Sequence, residues 1–526
     1  MIARALTKER VITVDRSGRK SLVAVGVLVG LVAVSAMGAT AGGKTLAPKN
    51  AVNIGYESFE PTIGATSNGD LYFSTTPSEG VAVGWRASIA RSQDRGRTWK
   101  DIGPTTPTGH SNPPETNDPY IYVDPSTDRI FTFHMAPILL CSVMSFSDDS
   151  GKSWQSNPRG CSPTVVWDHQ TMVAAKPRTT QTVGYPNVLH QCVNAVYAAM
   201  CSRSLDGGLS WGPSVPAYAN EEIAETCGAQ HGHLASSPDG RVYLPTSRCG
   251  TKPMVYISDD DGLTWRKSVI ANMDTPFVDP TVSVDSKGNL YAAFINESGF
   301  LHFATSSNNG KKWSKPVKVA KGWTANMPVI VAGDPGRVAL TYPGTNDLPK
   351  GYKTKDYLDG PPGDFIKTVA WSANFTTSTN ALARKPKFET TVSTGSDPIG
   401  RGRMCVAATR CAYLVDFIEA VIGPDGLPYA SFVDGCLAAC ARSWKGEQKD
   451  GTGLGLLATV HGPRLCKKAC WRYKGAGKAN FDPLAALDFS QSPEQVAASA
   501  EHAAPTERER ALIEESTEAR LEAVGR

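Results

Sequence analysis

Short apolar segments with alternating polar positions recur along residues 51–460, and each contains or follows a turn rich in Gly, Asp or Asn. Alternation with a period of two is the pattern of a strand that buries one face, and such turns join neighbouring antiparallel strands. No long helical periodicity interrupts this stretch. The pattern predicts a series of β-hairpins and an all-β fold. Six hairpins are found, at residues 65–74, 122–133, 236–245, 283–294, 331–342 and 422–432.

A second pattern, Ser-x-Asp-x-Gly-x-Thr/Ser-Trp, recurs in phase with the hairpins at intervals of roughly 50 residues. The Ser and Asp oxygens of such a turn accept hydrogen bonds from backbone amides, Gly supplies a backbone angle that other residues avoid, and Trp buries its ring against a neighbouring strand. The period fits one repeat per propeller blade. The copies are SQDRGRTW (92–99), SDDSGKSW (147–154), SLDGGLSW (204–211), SDDDGLTW (258–265) and a decayed SSNNGKKW (306–313).

This octapeptide is the Asp box, or bacterial neuraminidase repeat, and the chain therefore resembles the sialidase-like β-propellers over most of residues 51–460. The resemblance implies that each copy lies in the hairpin between the two outer strands of a blade, away from the active face. We therefore interpret the aspartates of the repeats as fold elements and not as catalysts.

A seventh unit, at residues 168–211, keeps the motif but replaces the short turn with a longer loop near residues 177–192. We predict an all-β propeller of six or seven four-stranded blades, with seven preferred. Six stays open because sialidases of this family have six blades. The seven units begin near residues 60, 118, 168, 231, 279, 327 and 414.

Three regions follow from the sequence. Residues 1–41 combine basic residues, an apolar run at 22–37 and small residues before Gly42, which indicates a signal peptide, with an uncleaved membrane anchor as the alternative. Residues 51–480 form the propeller. Residues 481–526 are rich in Glu, Arg, Ala and Leu at helical spacing and predict a short charged helical tail. Either N-terminal interpretation places the propeller outside the cytoplasm, secreted or at the cell surface.

Amino-acid composition limits the classes of partner that this protein is expected to bind. Charged residues make up 20% of the chain and the net charge is +4, so electrostatics give no support for a nucleic-acid partner. The 49 Gly and 36 Pro fit a chain with many turns. The expected partner is an extracellular glycan or glycoprotein, and no cofactor is expected.

The 12 cysteines agree with an exported protein, since an even number in such a chain predicts disulfides. We predict the pairs Cys141–Cys161, Cys192–Cys201 and Cys227–Cys249. The segments GCLAAC and LCKKAC hold the last four cysteines and leave disulfides and a zinc site as alternatives. Those four are Cys436, Cys440, Cys466 and Cys470.

In a propeller the innermost strands surround the axis, and the loops at one end of them form the ligand-binding mouth. Acidic residues stand where several inner strands are predicted to begin, and proline follows four of them, Glu60, Asp118, Asp279 and, before the last unit, Asp397. Carboxylates held together raise one pKa, as a general acid beside an ionised partner requires in glycoside hydrolysis. The alternative is that they cap strand starts. The candidate catalytic residues are Glu60, Asp118, Asp168, Asp279 and, as a nucleophile, Tyr120.

Four basic residues are candidate ligand contacts. His231 and His233 lie two apart, so on a strand they share one face, where they could bind a metal or carry protons. Close backbone packing around Gly232 is the alternative. Arg401 and Arg403 are the arginines whose context could place them near the axis.

The resemblance to sialidases implies three arginines that grip a sugar carboxylate, the first in an Arg-Ile-Pro motif. This chain has Phe59-Glu60-Pro61 at that place, so the arginine is missing. Two hypotheses remain. The first is an exo-acting glycoside hydrolase, exo-α-sialidase-like, on extracellular glycans. The second is a non-catalytic propeller that binds a glycan or a protein.

Overall fold

A computed structural model of the chain describes a seven-bladed β-propeller, with little helix among the residues that it describes. The preferred seven-blade prediction is confirmed, and the six-blade alternative is wrong. The predicted signal or anchor segment, the helical tail, Asp118 and Arg403 lie outside the described residues. Those are residues 50–58, 60–75, 85–86, 88–103, 115–116, 119–135, 141–161, 168–195, 198–218, 231–246, 252–276, 278–348, 369–402, 418–437, 439–442, 453–468 and 470–474.

The blades follow one another along the chain, and each is an antiparallel sheet whose strands are ordered from the axis outwards. The first described strand is β1 (Ala51–Glu57). Blade 1 then contains β2 (Ile63–Ala65), β3 (Leu71–Thr75) and, after the short β4 (Trp85–Arg86), β5 (Ser88–Ser92) and β6 (Lys100–Asp101). After β7 (Glu115–Thr116), which pairs with β4, blade 2 contains β8 (Tyr120–Val123), β9 (Ile130–Met135), β10 (Cys141–Ser147) and β11 (Gln155–Cys161). Blade 3 contains β12 (Asp168–Ala175), β13 (Val188–Asn194), β14 (Ala199–Ser204) and β15 (Val215–Pro216).

The second half of the ring repeats this arrangement. Blade 4 contains β16 (Ala235–Ser236), β17 (Val242–Thr246), β18 (Met254–Ser258) and β19 (Arg266–Val269). Blade 5 contains β20 (Thr281–Val284), β21 (Leu290–Ile295), β22 (Leu301–Ser306) and β23 (Val317–Lys318). Blade 6 has an interrupted inner strand, β24 (Thr324–Ala325) and β25 (Val329–Ala332), then β26 (Val338–Thr345), β27 (Ala370–Ser378) and β28 (Glu389–Val392), with β29 (Gly400–Arg401) pairing with β27. Blade 7 contains β30 (Glu419–Ile422), β31 (Pro428–Asp434), β32 (Leu454–Thr459) and, outermost, β1. The short helices are α1 (Ala439–Arg442) and a 3-10 turn, η1 (Trp471–Tyr473).

The ring closes through blade 7, because β1 from the start of the propeller pairs with β32 from its end. Ala51, Val52 and Asn53 stand opposite Ala458, Leu457 and Leu456 in this pairing. The first and last parts of the propeller are thereby joined in one sheet.

The seven inner strands form a closed ring around the axis, in which each contacts the next. Side-chain hydroxyls join neighbouring inner strands. Tyr120 and Tyr122 accept the N–H groups of Met172 and Ala174, and Thr281 and Ser283 accept those of Ile330 and Ala332. Since both partners advance by two residues in the same direction, these inner strands run parallel. Their starting residues therefore lie at one end of the axis.

The five repeated octapeptides form turns between the third and fourth strands of blades 1 to 5. In blade 1, Ser92 Oγ accepts the Gly96 N–H at 2.8 Å and Asp94 Oδ1 accepts the Thr98 N–H at 2.8 Å. The decayed copy keeps the geometry, since Asn308 Oδ1 accepts the Lys312 N–H at 2.9 Å. Some tryptophans reach the preceding blade, as Trp154 does by donating from Nε1 to Ile102 O at 3.1 Å.

The hydrophobic core lies between neighbouring blades. One continuous cluster joins blades 5, 6 and 7 and includes the buried rings of Tyr291, Tyr342, Trp371, Phe375 and Phe432. Full burial of each such large side chain stabilises the fold by about 1.5–3 kcal/mol. Blades are therefore held together by packing of their broad faces, with the hydroxyl contacts fixing the inner strands.

Three disulfides lie within the described residues, and they decide two of the questions that the cysteines raise. Cys192–Cys201 joins β13 to β14 in blade 3, as predicted. Each C-x3-C segment closes on itself, as Cys436–Cys440 and Cys466–Cys470, so the zinc alternative for these four residues is wrong. Cys141 stands opposite Cys161 in the pairing of β10 with β11, and that disulfide stays a prediction. Cys227 and Cys249 lie outside the described residues.

Within the part of the chain that the structure describes, no helix has both the length and the apolar character needed to cross a bilayer.

Asp94 gives a pH-dependent contribution to stability. Hydrogen bonds from Thr98, Ser92 and Arg97 to its carboxylate lower its pKa from the usual 3.8 to about 2. A folded-state pKa below the unfolded one means stability that is present above pH 4 and is lost as the pH falls through about 2. We expect Asp94→Asn to keep the turn, as Asn308 does, but to lose part of this dependence. Thermal unfolding between pH 2 and 7 measures it, and identical profiles for the two proteins would contradict the prediction.

Candidate functional site

The axis of the propeller contains a cavity of about 160 Å³. We call its two ends the mouth, where the inner strands begin, and the floor, where they end. The mouth is lined by Tyr120, His233, Asp279, Met327 and Glu419, and the floor by Ala65, Tyr122, Ser283, Arg472 and Tyr473. Apolar side chains such as Ile63, Val282 and Ile330 line the wall between them.

Two carboxylate–imidazole pairs lie at the mouth, and they join four blades. His169 Nε2 of blade 3 lies 2.8 Å from Asp279 Oδ2, just before the inner strand of blade 5. His233 Nδ1, just before blade 4, lies 2.5 Å from Glu419 Oε2 of blade 7. Both carboxylates keep some solvent contact, with side chains 18% and 17% exposed, so they can reach a ligand in the cavity.

Glu419 is held from two sides. Its Oε1 accepts the Ala420 N–H at 2.7 Å, while Oε2 faces the imidazole of His233. The edge of the Tyr120 ring packs against this imidazole, with centroids 5.7 Å apart. The carboxylate therefore has one well-defined orientation.

His231 is completely buried beside the pairs, with its ring centroid 5.5 Å from that of His169. Its Nδ1 lies 3.0 Å from Gly232 O, and because a carbonyl only accepts, Nδ1 carries the proton. Burial, with a smaller contribution from His169, lowers the pKa of His231 to about 4. The ring is neutral at neutral pH, and among the described residues its Nε2 has no hydrogen-bond partner.

The backbone at the mouth is unusual at three residues that are not glycine. Glu60, His169 and Met327 have positive φ angles of 43°, 51° and 42° and stand just before or at the start of inner strands. Left-handed backbone outside glycine costs of order 1–3 kcal/mol and is concentrated at functional sites. At His169 it accompanies an irregular register between β12 and β13.

The structure separates the predicted acidic ring. Asp279 lines the cavity, whereas Glu60 and Asp168 are buried and lie outside its lining. Asp168 Oδ2 accepts from Asn194 Nδ2 at 3.3 Å, within blade 3. Asp118 lies outside the described residues.

Of the other predicted site residues, Tyr120 and His233 line the cavity and Arg401 does not. The ring of Tyr120 lines the mouth, but its hydroxyl is turned into blade 3, where it accepts the Met172 N–H at 3.1 Å, and burial raises its pKa. His233 lines the mouth. Arg401 donates from Nε to Cys440 O at 2.8 Å and lies outside the cavity lining. Arg403 lies outside the described residues.

Sequence reasoning missed His169 and Glu419. His169 directly follows the candidate Asp168, at an irregularity in the register of β12, and the histidine, not the aspartate, contacts Asp279. A one-residue shift is enough, because successive strand residues face opposite sides. Glu419 stands at the start of an inner strand, like the other candidates, but no proline follows it. The acidic residue followed by proline before the last blade is Asp397, and this pattern drew attention away from Glu419.

Chemically, the mouth can bind and transfer protons. Each carboxylate can accept hydrogen bonds from a ligand hydroxyl, and each paired imidazole orients the carboxylate that it contacts. The described residues contain no group of three or more His, Cys, Asp or Glu side chains suited to hold a metal ion.

Close backbone packing requires a glycine between His231 and His233. A Cβ at this position would lie 2.3 Å from Pro280 O, a backbone atom next to Asp279. We expect Gly232→Ala to lower the free energy of unfolding by about 1–3 kcal/mol, measured by urea denaturation. Gly400→Ala is the matched control, because a Cβ there meets nothing within 4 Å. Equal losses in the two variants would contradict the prediction.

Comparison with known proteins finds a family match to part of the chain and several solved structures of low similarity. Residues 188–347, from blade 3 to blade 6, match the family described as BNR repeat-like domain. No curated protein matches the chain. A Dyadobacter fermentans protein of unknown function is similar in structure, with 16% identity, a TM-score of 0.41 and coverage of 78% of this chain and 98% of that one.

Two further solved structures resemble this fold. The intramolecular trans-sialidase from Ruminococcus gnavus has 12% identity and a TM-score of 0.38, covering 78% of this chain and 95% of its own. The Aleuria aurantia lectin has 10% identity and a TM-score of 0.39, covering 64% and 98%. At such identities these likenesses concern the fold and carry no information on activity.

Proposed function

We propose that this sialidase-like, BNR-repeat β-propeller is an exported glycoside hydrolase that cleaves the end of an extracellular glycan at the mouth of its axial cavity. The observation that carries the proposal is the pair of carboxylates, Asp279 and Glu419, which come from different blades to line one cavity. Two carboxyl groups at one site are the usual requirement for cleaving a glycosidic bond.

The imidazoles give the two carboxylates their roles. Glu419 is oriented by its contact with His233 and takes the role of general acid, which donates a proton to the oxygen of the leaving sugar. Asp279 is held by the buried His169, which keeps it oriented as the second carboxylate, either as nucleophile or as base for water.

The proposed substrate is a neutral sugar end. Selective binding of an acidic sugar depends on guanidinium groups placed as a bidentate clamp. Among the described residues that line the cavity, the arginine is Arg472 at the floor, away from the two carboxylates. The missing arginine in Phe59-Glu60-Pro61 agrees with a neutral substrate.

Export of the protein is part of the proposal. It is supported by the signal-like residues 1–41 and by three disulfides within the described residues. Disulfides persist mainly in oxidising compartments.

The test is turnover of a panel of fluorogenic neutral glycosides and one sialoside by the purified exported protein. A variant with both Asp279→Asn and Glu419→Gln serves as the blank. Hydrolysis of a neutral glycoside by the wild type and none by the blank is expected. Hydrolysis of the sialoside alone would contradict the neutral substrate. A wild type that binds glycans but cleaves none would replace this proposal with the binding propeller.

A further inference from the structure

The floor of the axial cavity carries the guanidinium of Arg472, which has no ion pair within the part of the chain that the structure describes. Arg472 is partly buried, and its guanidinium donates from Nη2 to Val284 O at 3.3 Å and lies 4.7 Å from the Trp471 ring. Among the described residues no carboxylate forms an ion pair with it, in contrast to Arg91, Arg129 and Arg241. Burial lowers its pKa, which reflects the cost of a charge without a partner.

Two hydroxyl groups line the cavity at the same end. Tyr122 Oη accepts the Ala174 N–H at 2.9 Å, and Ser283 Oγ accepts the Ala332 N–H at 3.0 Å. Because these bonds use the oxygen lone pairs, each hydroxyl retains its own proton for donation. Within the described part of the chain, neither proton has an acceptor. The floor therefore presents hydrogen-bond donors and a positive charge.

The segment that carries Arg472 is fixed in place. Tyr473 donates from its hydroxyl to Ile422 O at 2.7 Å, which ties the segment to the inner strand of blade 7. The disulfide Cys466–Cys470 closes the loop just before it. A guanidinium on a fixed segment loses little conformational freedom when it binds a ligand.

We propose that the floor of the axial cavity is a binding site for a small oxyanion, held by Arg472, Tyr122 and Ser283. Buried charges are normally paired, and a ligand with several acceptor oxygens would supply the negative partner that the described residues do not give Arg472. A guanidinium and two hydroxyl donors at one end of the cavity suit a sulfate, a phosphate or the carboxylate of a small organic acid. This site is separate from the mouth and does not depend on the proposed hydrolase activity.

The experiment measures the melting temperature and isothermal titration heats of the full exported protein with sodium sulfate, phosphate or acetate. Sodium chloride at equal ionic strength is the reference. A rise that saturates with concentration marks a site, since general salt effects on stability do not saturate. The wild type should show saturable binding of at least one oxyanion, and Arg472→Gln should lose it.

Arg337→Gln is the matched control. Arg337 is also partly buried, donates from Nε to a backbone carbonyl, that of Arg464, and has no ion pair among the described residues, but it lies outside the cavity lining. Its variant should bind like the wild type.

Tyr122→Phe keeps the test decisive if Arg472→Gln does not fold, because it removes one hydroxyl. It should weaken binding by about 10- to 100-fold, the worth of a hydrogen bond to a charged group. Saturable binding by sulfate and phosphate but not acetate would assign a tetrahedral oxyanion, and the reverse a carboxylate. No saturable binding by the wild type, or equal binding by wild type, Arg472→Gln and Tyr122→Phe, would overturn the proposal.

Discussion

Glu419→Gln should lower kcat on the best glycoside of the panel by about 10²–10⁴-fold, the usual worth of a general acid or base. The amide can keep the hydrogen bond from the Ala420 N–H, so the local structure is preserved. The glutamine side chain cannot ionise or donate a proton to the substrate. His233 must adopt the tautomer in which Nδ1 accepts a hydrogen bond from the new amide N–H group. Loss of rate without loss of structure is therefore expected. Steady-state kinetics and the melting temperature measure the two quantities.

Glu389→Gln is the control for this variant, since Glu389 is exposed on the outermost strand of blade 6, β28, and lies outside the cavity lining. Its kcat should equal that of the wild type. Full activity in Glu419→Gln would remove this residue from the proposed machinery, whatever the result for Asp279.

Removal of Ala51–Glu57 should abolish cooperative unfolding. Without β1, blade 7 loses its outermost strand and β32 becomes an open edge with unpaired backbone groups. The contribution of the buried Ile54 is lost at the same time. Because whole domains are stable by only about 5–15 kcal/mol, the loss of a strand that closes the ring is expected to exceed what the fold tolerates. Circular dichroism during thermal unfolding measures the effect.

Point variants test the contribution of β1 to stability without removing the whole strand. Ile54→Ala should lower the free energy of unfolding by about 2–5 kcal/mol, as for other buried aliphatic residues. Val269→Ala is the control, because Val269 occupies the outermost strand of blade 4 but is 46% exposed. A cooperative transition at the wild-type temperature after removal of β1 would contradict the role of this strand.

The fold was largely predictable from local signals in the sequence. The alternating hairpins and the repeated octapeptide indicated an all-β propeller and favoured seven blades, because both signals depend on turn chemistry and strand period. The pairing of Cys192 with Cys201 was predictable for the same reason, since the two residues lie nine positions apart across one hairpin.

The candidate site was only partly predictable. Asp279 and His233 could be found because their positions at the start of inner strands are visible in the sequence, and both line the mouth. Asp168 was chosen where its neighbour His169 is the residue that contacts Asp279, because a register irregularity at a strand start leaves no mark in the sequence. Glu419 was missed because its partner, His233, lies 186 residues away.

The sequence by itself determined the repeating unit. The strand period, the turns and the order of the blades depend on contacts between residues that are close along the chain. The tertiary structure alone decided which side chains share the axis, because closing seven blades into a ring brings together residues from separate blades. It also decided where Arg472 lies, since the segment after the last blade contacts the inner strands of blades 5 and 7 and reaches the floor of the cavity. The physical reason is that the axial site is made of contacts between distant segments, which local pattern does not encode.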